Sequence, residues 1–243
     1  MALDGIVPDW PVPTGIGAFV TTRAGGVSTG CYASLNLGTR VGDDPAAVEE
    51  NRRRLRTRLP AEPVWLRQVH GSAVVDAATV TGIPEADASF TRTAGVICTV
   101  QMADCMPVLF ATRQGDAVAA AHAGWRGLAG GVLEATLAAL AAPPASVLTW
   151  LGPAIGPTAF EVGEEVRTAF LATDAGAGIA FRPIGHDKWL ADLFTLARRR
   201  LTTAGVTAIY GGGLCTHADP ARFFSHRRDR VSGRMAATVW IEP

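Results

Sequence analysis

The sequence predicts a mixed α+β fold in which mixed β-sheets are covered by helices. Apolar stretches of strand length recur along the chain, other segments carry helical patterning with caps, and the two kinds follow in an irregular order that argues against simple βαβ alternation. With 243 residues and 48% hydrophobic content, the chain can bury one sizeable core or two intimately packed halves. No linker interrupts it, so residues 1–243 are expected to form a single domain.

An N-terminal stretch through Val20 leads into TTRAGGVSTGCYASLNLGTRVGDD, a glycine-rich loop with few apolar periodicities. A loop of that length is usually functional or disordered. Asp43, Asp44 and Pro45 then start a helix running to about Arg58, where Arg52, Arg53 and Arg54 read mostly as a solvated face. Strand-like segments follow at 64–69, 73–77, 96–100, 108–111 and 117–121, and those at 96–100 and 117–121 hand over to polar or glycine-containing turns. A helix is expected from about Leu128 to Ala141, next to His122. Strand 147–151 ends in GPAIGP, FEVGEEVRTAFLA reads as a further helix, and Asp192 can cap a helix through Leu201. Residues 206–210 form another strand before the C-terminal CTHADPARFFSHRRDRVSGRMAATVWIEP.

Composition narrows the function classes. Basic and acidic side chains balance at 22 each, which gives no general pull toward nucleic acid or membrane. Cys31, Cys98, Cys105 and Cys215 occur in a chain too large to need disulfide staples, and the start is not signal-like, so a reduced cytoplasmic protein is expected. The apolar run at 118–123 ends at Trp125 and Arg126, and the alanine-rich 133–142 segment is too short to span a bilayer. With no heptad seam, a monomer is expected.

Cys105 in MADCMPVLF and His122 in AAAHAGWRG each lie just past an apolar run, where strands end and side chains from neighbouring strands can meet. His70, in WLRQVHGSAVV, sits at another strand-like segment interrupted by glycine. Zinc takes thiolate sulfur and imidazole nitrogen, and catalytic zinc sites usually keep three protein ligands and one open position. The chain has no CxxC pair and no HExxH helix. From the residues alone, a metal site, a thiol nucleophile with an imidazole base, and a buried thiol with two structural histidines all stand.

Other segments have two readings as well. The GGVSTG loop can cradle an anion with its amides and the Ser28 hydroxyl, or serve as a structural Ω-loop; it does not match GxxxxGK[ST]. Arg23, Arg126, Arg227 and Arg228 lie beside glycine or aromatic turns and suit phosphate or carboxylate, or surface ion pairs. His226 is either an acid–base group or a loop histidine without a role. Cys98 and Cys215 read as core thiols, and Cys31 lies in the glycine loop.

The ordered set TTRAGGVSTGCYASLNLG, VGDD, NRRRL, QVHG, MADCMPVLF, AHAGWRG, GPAIGP, FEVGEEV, CTH and FFSHRRDRVSGRM resembles the YfiH-like family, also called the multicopper polyphenol oxidase laccase or purine nucleoside phosphorylase family. The resemblance runs over residues 21–240. It implies a single α/β domain of the kind compared with cysteine hydrolase toxins, with one zinc ion held by the QVHG, ADC and HAGW side chains, here His70, Cys105 and His122. It further implies phosphorolysis of adenosine, inosine, guanosine and methylthioadenosine to free base and ribose 1-phosphate, and deamination of adenosine. Copper-dependent phenol oxidation and peptidoglycan-precursor editing are also linked to the family.

Chemistry weighs these activities. A multicopper oxidase needs many paired histidines, whereas this chain has only His70, His122, His186, His217 and His226, so copper is disfavoured against zinc. In deamination, activated water attacks C6 of the purine and Asp104 is the candidate proton-moving group, alongside Cys105 and His122 at the centre. In phosphorolysis, Arg23, Ser28, Asn36 and Arg126 are candidate phosphate or ribose contacts, with Arg227 and Arg228 in reserve. Phe160 stands where relatives commonly carry Tyr, and His217 where they often have Tyr, so a phenol at position 160 plays no part here. Two other classes remain: a cysteine amidase with Cys105 as nucleophile and His122 as base, and a noncatalytic partner protein with a structural zinc.

Overall fold

Alternation along the strand Met106–Thr112 sets the architecture. Val108 and Phe110 belong to one apolar cluster and Leu109 and Ala111 to another, as a period of two requires for a strand buried on both faces. The computed structural model describes residues 3–243. Met106–Thr112 lies inside a six-stranded mixed sheet with the spatial order Ala208–Gly211, Val147–Leu151, Met106–Thr112, Val118–Ala123, Ala88–Thr91 and Val74–Asp76. Its outer pairs are parallel and its inner pairs antiparallel.

One face of this sheet is covered by the helices Val132–Leu140, Glu164–Leu171 and Leu193–Thr203, through Leu133, Leu137, Val166, Phe170, Leu196 and Leu201. Its other face meets a second sheet of five strands, ordered Gly5–Ile6, Ile16–Thr21, Met235–Ile241, Ile97–Met102 and Pro63–Val64. Val100, Met102, Met235, Ala237 and Val239 fill the space between the sheets. The outer face of the second sheet packs Phe19, Ile97 and Trp240 against Leu55 of the helix Pro45–Arg56 and against Leu35 and Leu37. The layers run helix, sheet, sheet, helix, which is the expected α+β class with mixed sheets. Each fully buried large side chain such as Phe110 or Leu109 stabilises this arrangement by about 1.5–3 kcal/mol. A small antiparallel sheet, Glu161–Gly163, Lys188–Ala191 and Phe181–Gly185, adds Val162, Phe181 and Ala191 to the helix-side core.

Several expected elements have different bounds. The helix expected over 128–141 is two helices, Trp125–Ala129 and Val132–Leu140, because Gly131 at φ 91° breaks the helical path in a region open mainly to glycine. Strand 64–69 forms a ladder only over Pro63–Val64, with one isolated parallel bridge from Arg67 to Glu85. Beyond it, the Gln68 side chain takes over the pairing: Nε2 donates to the Gln101 carbonyl at 2.9 Å and Oε1 accepts from the Gln101 N–H at 2.7 Å. The helix expected from Phe160 begins at Glu164, after a short strand. By contrast, the Asp44 side chain accepts from Ala46 N–H with Pro45 in the first turn, and Asp192 accepts from Phe194 and Thr195, as the caps predict.

The glycine-rich loop is held in place rather than loose. Asn51 of the helix Pro45–Arg56 is fully buried, and its Oδ1 accepts from Val27 N–H while Nδ2 donates to Ser28 Oγ and to the carbonyls of Ser34 and Asn36. Among the described residues, no helix is long and apolar enough to cross a membrane.

Candidate metal centre

Strand pairing positions the first candidate ligand. His122 lies near the end of Val118–Ala123, paired with Pro107, and its side chain is buried. Cys105 occupies the tight turn between Ile97–Met102 of one sheet and Met106–Thr112 of the other, where Asp104 adopts φ 84°. His70 sits in the loop before Val74–Asp76 at φ 63°, with its side chain exposed. The three side chains converge: one nitrogen of each imidazole and the Cys105 Sγ all lie within 4.8 Å of one another. The two rings meet edge to face with centroids 4.9 Å apart.

A single carboxylate holds two of these candidate ligands. Asp87, in the turn before Ala88–Thr91, is fully buried and accepts the backbone N–H groups of Val69, His70 and Gly71 at 3.1, 2.9 and 2.7 Å. Its Oδ1 also lies 2.8 Å from His122 Nδ1, so Nδ1–H donates to it and Nε2 is left to face the site. The Asp87 carbonyl accepts His122 N–H at 2.7 Å as well. Burial alone would raise the Asp87 pKa, but the His122 bond and the Gly71 and Val69 amides hold it below the usual carboxylate range.

Burial works against the charged forms of Cys105 and His122, and their proximity outweighs it. Burial pushes the thiol up, yet His122 and His70 bring Cys105 down to about 6. Burial pushes the imidazole down, yet the Cys105 thiolate and Asp87 bring His122 up to about 9. Without a metal the pair is therefore a thiolate and an imidazolium. The donor set of one sulfur and two nitrogens fits a borderline-soft ion such as zinc.

Glycines make the approach possible. A Cβ at Gly124 would stand 2.8 Å from Cys105 Sγ and 3.0 Å from His70 Cδ2, so position 124 has no room for a side chain. A Cβ at Gly127 would stand 2.8 Å from the Gly71 carbonyl, which keeps the first turn of Trp125–Ala129 against the His70 loop.

The remaining candidate residues fall into three groups. Asp104, beside Cys105, accepts from Thr216 Oγ1 and from Arg227 N–H, each at 2.6 Å, so both carboxylate oxygens tie the ligand turn to the C-terminal segment. Ser28 and Asn36 are joined through Asp43: Ser28 Oγ donates to Asp43 Oδ2 at 2.6 Å and Asn36 Nδ2 donates to the same oxygen at 2.9 Å. Among the arginines, Arg23 donates to the Ala33 and Pro220 carbonyls and stacks on Phe224, while Arg228 donates to the carbonyls of Thr216, His217 and Phe223. Arg227 reaches the Glu161 carbonyl and stacks on Phe160, and the exposed Arg126 stacks on Trp125.

Cys98 is buried between the sheets, where burial pushes it up to about 12. Cys215 is half-buried, with Gly156 N–H and Ala218 N–H donating to its sulfur, and Cys31 is exposed. A cavity of about 430 Å³ lined by Thr39, Val48, Arg52, Arg56 and Glu62 lies on the helix Pro45–Arg56 and includes none of the three ligands. Sequence reasoning missed Asp87 and Gly124. The signal for Asp87 was an acid set between alanines in PEADASF, at the foot of an apolar strand.

The family model for multi-copper polyphenol oxidoreductase laccase matches residues 17–242. The chain is 56% identical over 238 residues to purine nucleoside phosphorylase PA4543 of Pseudomonas aeruginosa, covering 98% of each chain. It is 55% identical over 242 residues to purine nucleoside phosphorylase YfiH of Escherichia coli K12, covering 97% of this chain and 98% of the relative. Among solved structures, protein NMB0706 of Neisseria meningitidis superposes with a TM-score of 0.95 at 50% identity, over 98% of this chain and 99% of that one. YlmD of Geobacillus stearothermophilus superposes with a TM-score of 0.90 at 33% identity, over 100% and 99%.

Proposed function

The chain belongs to the family described as multi-copper polyphenol oxidoreductase laccase, and with close relatives named purine nucleoside phosphorylases we propose that it is a zinc-dependent purine nucleoside phosphorylase that also deaminates adenosine. Its substrates in this reading are adenosine, inosine, guanosine and methylthioadenosine, with inorganic phosphate as co-substrate. The observation that carries the metal-dependent reading is the convergence of His70, Cys105 and His122 within 4.8 Å. Among the described residues, no fourth His, Cys, Asp or Glu joins that group, which favours an open catalytic site over a closed structural one.

His70, Cys105 and His122 would hold the ion, which when bound supplies Lewis acidity toward water or a substrate oxygen. Asp87 fixes the His122 tautomer and the path of the His70 loop, so two ligands keep their orientation without substrate. In phosphorolysis, a phosphate oxygen forms a bond to C1′ of the ribose while the C1′–N9 bond breaks, and the departing purine takes the bonding electron pair and a proton. Arginines and backbone amides must balance the phosphate charge. With both oxygens already accepting, Asp104 contributes first by fixing the ligand turn; a proton-moving role would require Thr216 to give up its bond.

The multicopper oxidase reading is disfavoured, since the described residues contain one cluster of metal-ligating type. A cysteine amidase is the second reading, favoured by the thiolate–imidazolium character of Cys105 and His122. Product analysis separates these proposals. Metal-quantified protein is incubated with adenosine, with and without phosphate, before and after chelation and again after adding back zinc or copper. Phosphate-dependent adenine and phosphate-independent inosine, both lost on chelation and restored by zinc, are the expected result. Nucleoside turnover that persists in metal-free protein refutes the metal-dependent mechanism, and amide hydrolysis that survives chelation moves the assignment to the thiol.

A further inference from the structure

Arg234, near the centre, has unused donors and a fixed guanidinium plane. Arg234 lies just before the strand Met235–Ile241, whose register pairs Met235 with Met102. Continuing that antiparallel register by one residue sets Arg234 opposite Ala103, beside Asp104 and Cys105. Its backbone is fixed on both sides by the glycine-rich loop: Arg234 N–H donates to Asn36 Oδ1 at 2.8 Å, and its carbonyl accepts Leu37 N–H at 3.0 Å. The side-chain stem passes Gly38, where a Cβ would stand 2.8 Å from Arg234 Cγ. Asn36 and Gly38 thus hold open a channel for this side chain.

The guanidinium is bound along one edge only. Nη1 donates to the carbonyls of Ser232 and Gly233 and to Ser232 Oγ, which fixes the plane of the group. Among the described residues, Nε and Nη2 donate to nothing, and no carboxylate forms an ion pair with Arg234. Neither atom is sealed from solvent as an orphaned buried donor. Burial pulls the Arg234 pKa below its usual value, while the nearby Cys105 and Asp104 support the cation. The Nε–Nη2 edge is the pair of parallel donors that matches two oxygens of a phosphate or carboxylate. In contrast, Arg23 directs Nε and Nη1 to backbone carbonyls, and Arg228 gives its Nε–Nη2 edge to the Asp229 carboxylate and further donors to backbone carbonyls.

We infer that Arg234 is the oxyanion-binding residue beside the metal centre, presenting its Nε–H and Nη2–H edge to inorganic phosphate. Its identification with the co-substrate rests on the nucleoside phosphorylase reading. The Asp104 charge does not repel the anion outright, because Thr216 Oγ1 and Arg227 N–H donate to it. The thiolate charge of Cys105 is offset when it holds a cation. The competing explanation is that Arg234 simply balances Cys105 and Asp104 and binds no ligand.

The test uses metal-quantified full-length protein with inorganic phosphate as the probe. Phosphate affinity is measured by calorimetry for the wild type, Arg234→Gln and Arg234→Lys, with the melting temperature and zinc stoichiometry of each protein measured alongside. Loss of a charge-assisted bidentate contact should weaken phosphate binding by about tenfold or more in Arg234→Gln, with a smaller loss in Arg234→Lys. In the phosphorolysis assay, KM for phosphate should rise by a similar factor while KM for the nucleoside changes by less than about twofold. Wild-type phosphate binding retained in Arg234→Gln overturns the assignment, as does a wild type that binds no phosphate. Parallel loss of nucleoside affinity, phosphate affinity and zinc in both variants also overturns it, in favour of simple charge balance. A wild type that binds phosphate through Arg234 but turns over no nucleoside refutes the phosphorylase reading and leaves the anion site standing.

Discussion

His122 Nδ1 lies 2.8 Å from Asp87 Oδ1, and the same buried carboxylate accepts three successive backbone N–H groups around His70. Asp87 therefore orients two candidate ligands that come from different parts of the chain. Asp87→Asn keeps the size and removes the charge, while its amide NH₂ meets N–H donors it cannot accept. Zinc affinity, measured by chelator competition, should fall by about 10- to 100-fold. Stability should drop by about 1–3 kcal/mol from the unsatisfied amides. Unchanged zinc affinity would show that Asp87 does not set the ligand geometry.

Gly124→Ala tests the space around the sulfur. With a Cβ placed 2.8 Å from Cys105 Sγ, the ligand turn or the His70 loop must shift. Zinc binding should weaken by an amount equivalent to about 1–3 kcal/mol, with far-ultraviolet circular dichroism unchanged. Gly178→Ala is the control, since its Cβ would approach nothing nearer than Leu171 Cδ2 at 3.8 Å. Equal zinc affinity in the two variants would contradict the steric account.

Thiol chemistry reports the charge state of the centre. In metal-free protein, Cys105 is depressed to about 6, so its thiolate persists at neutral pH and is lost as pH falls through that value. His122, raised to about 9, stays protonated until pH rises through that value. Peptide-resolved alkylation by iodoacetamide should therefore label Cys105 at pH 7, with the rate falling below about pH 6. Cys98, pushed up to about 12 and buried, should remain unlabelled. Zinc should protect Cys105. Slower labelling of Cys105 than of Cys98 would rule out the thiolate assignment.

The glycine-rich loop depends on Asn51. Asn51→Leu removes one acceptor and the donors to Ser28, Ser34 and Asn36 inside a buried site. The loss should be about 3 kcal/mol, or a fall in Tm of about 6–12 °C for a chain of this size. Because Asn36 in turn holds the Arg234 backbone, phosphate affinity should fall along with Tm. A variant that melts like the wild type would show that the loop is fixed by other contacts.

Much of the fold was legible where one physical signal dominated. Strand Val147–Leu151 and the Asp44 and Asp192 caps follow directly from local pattern and polar chemistry. Met235–Ile241 did not stand out, since MAATVWI is buried on both faces and lacks the alternation of a half-exposed strand. Ala88–Thr91 is short, and its pairing with Ala121 through Val118 is decided by tertiary contact. At the site, His70, Cys105 and His122 were visible as residue types in motifs. Asp87 and Arg234 were hidden because their roles depend on which amides and which open donors the fold brings beside them.

Cys105 occupies the point where the chain leaves one sheet and enters the other, while His122 belongs wholly to the second. The ligand set cannot exist until both sheets have docked, so the centre matures after the long-range pairing is complete. An ion seated there would act as a rivet between the sheets, and separating them would first require its release. Resistance to slow unfolding and metal retention should therefore rise and fall together, linking the lifetime of the native chain to the occupancy of the candidate metal centre.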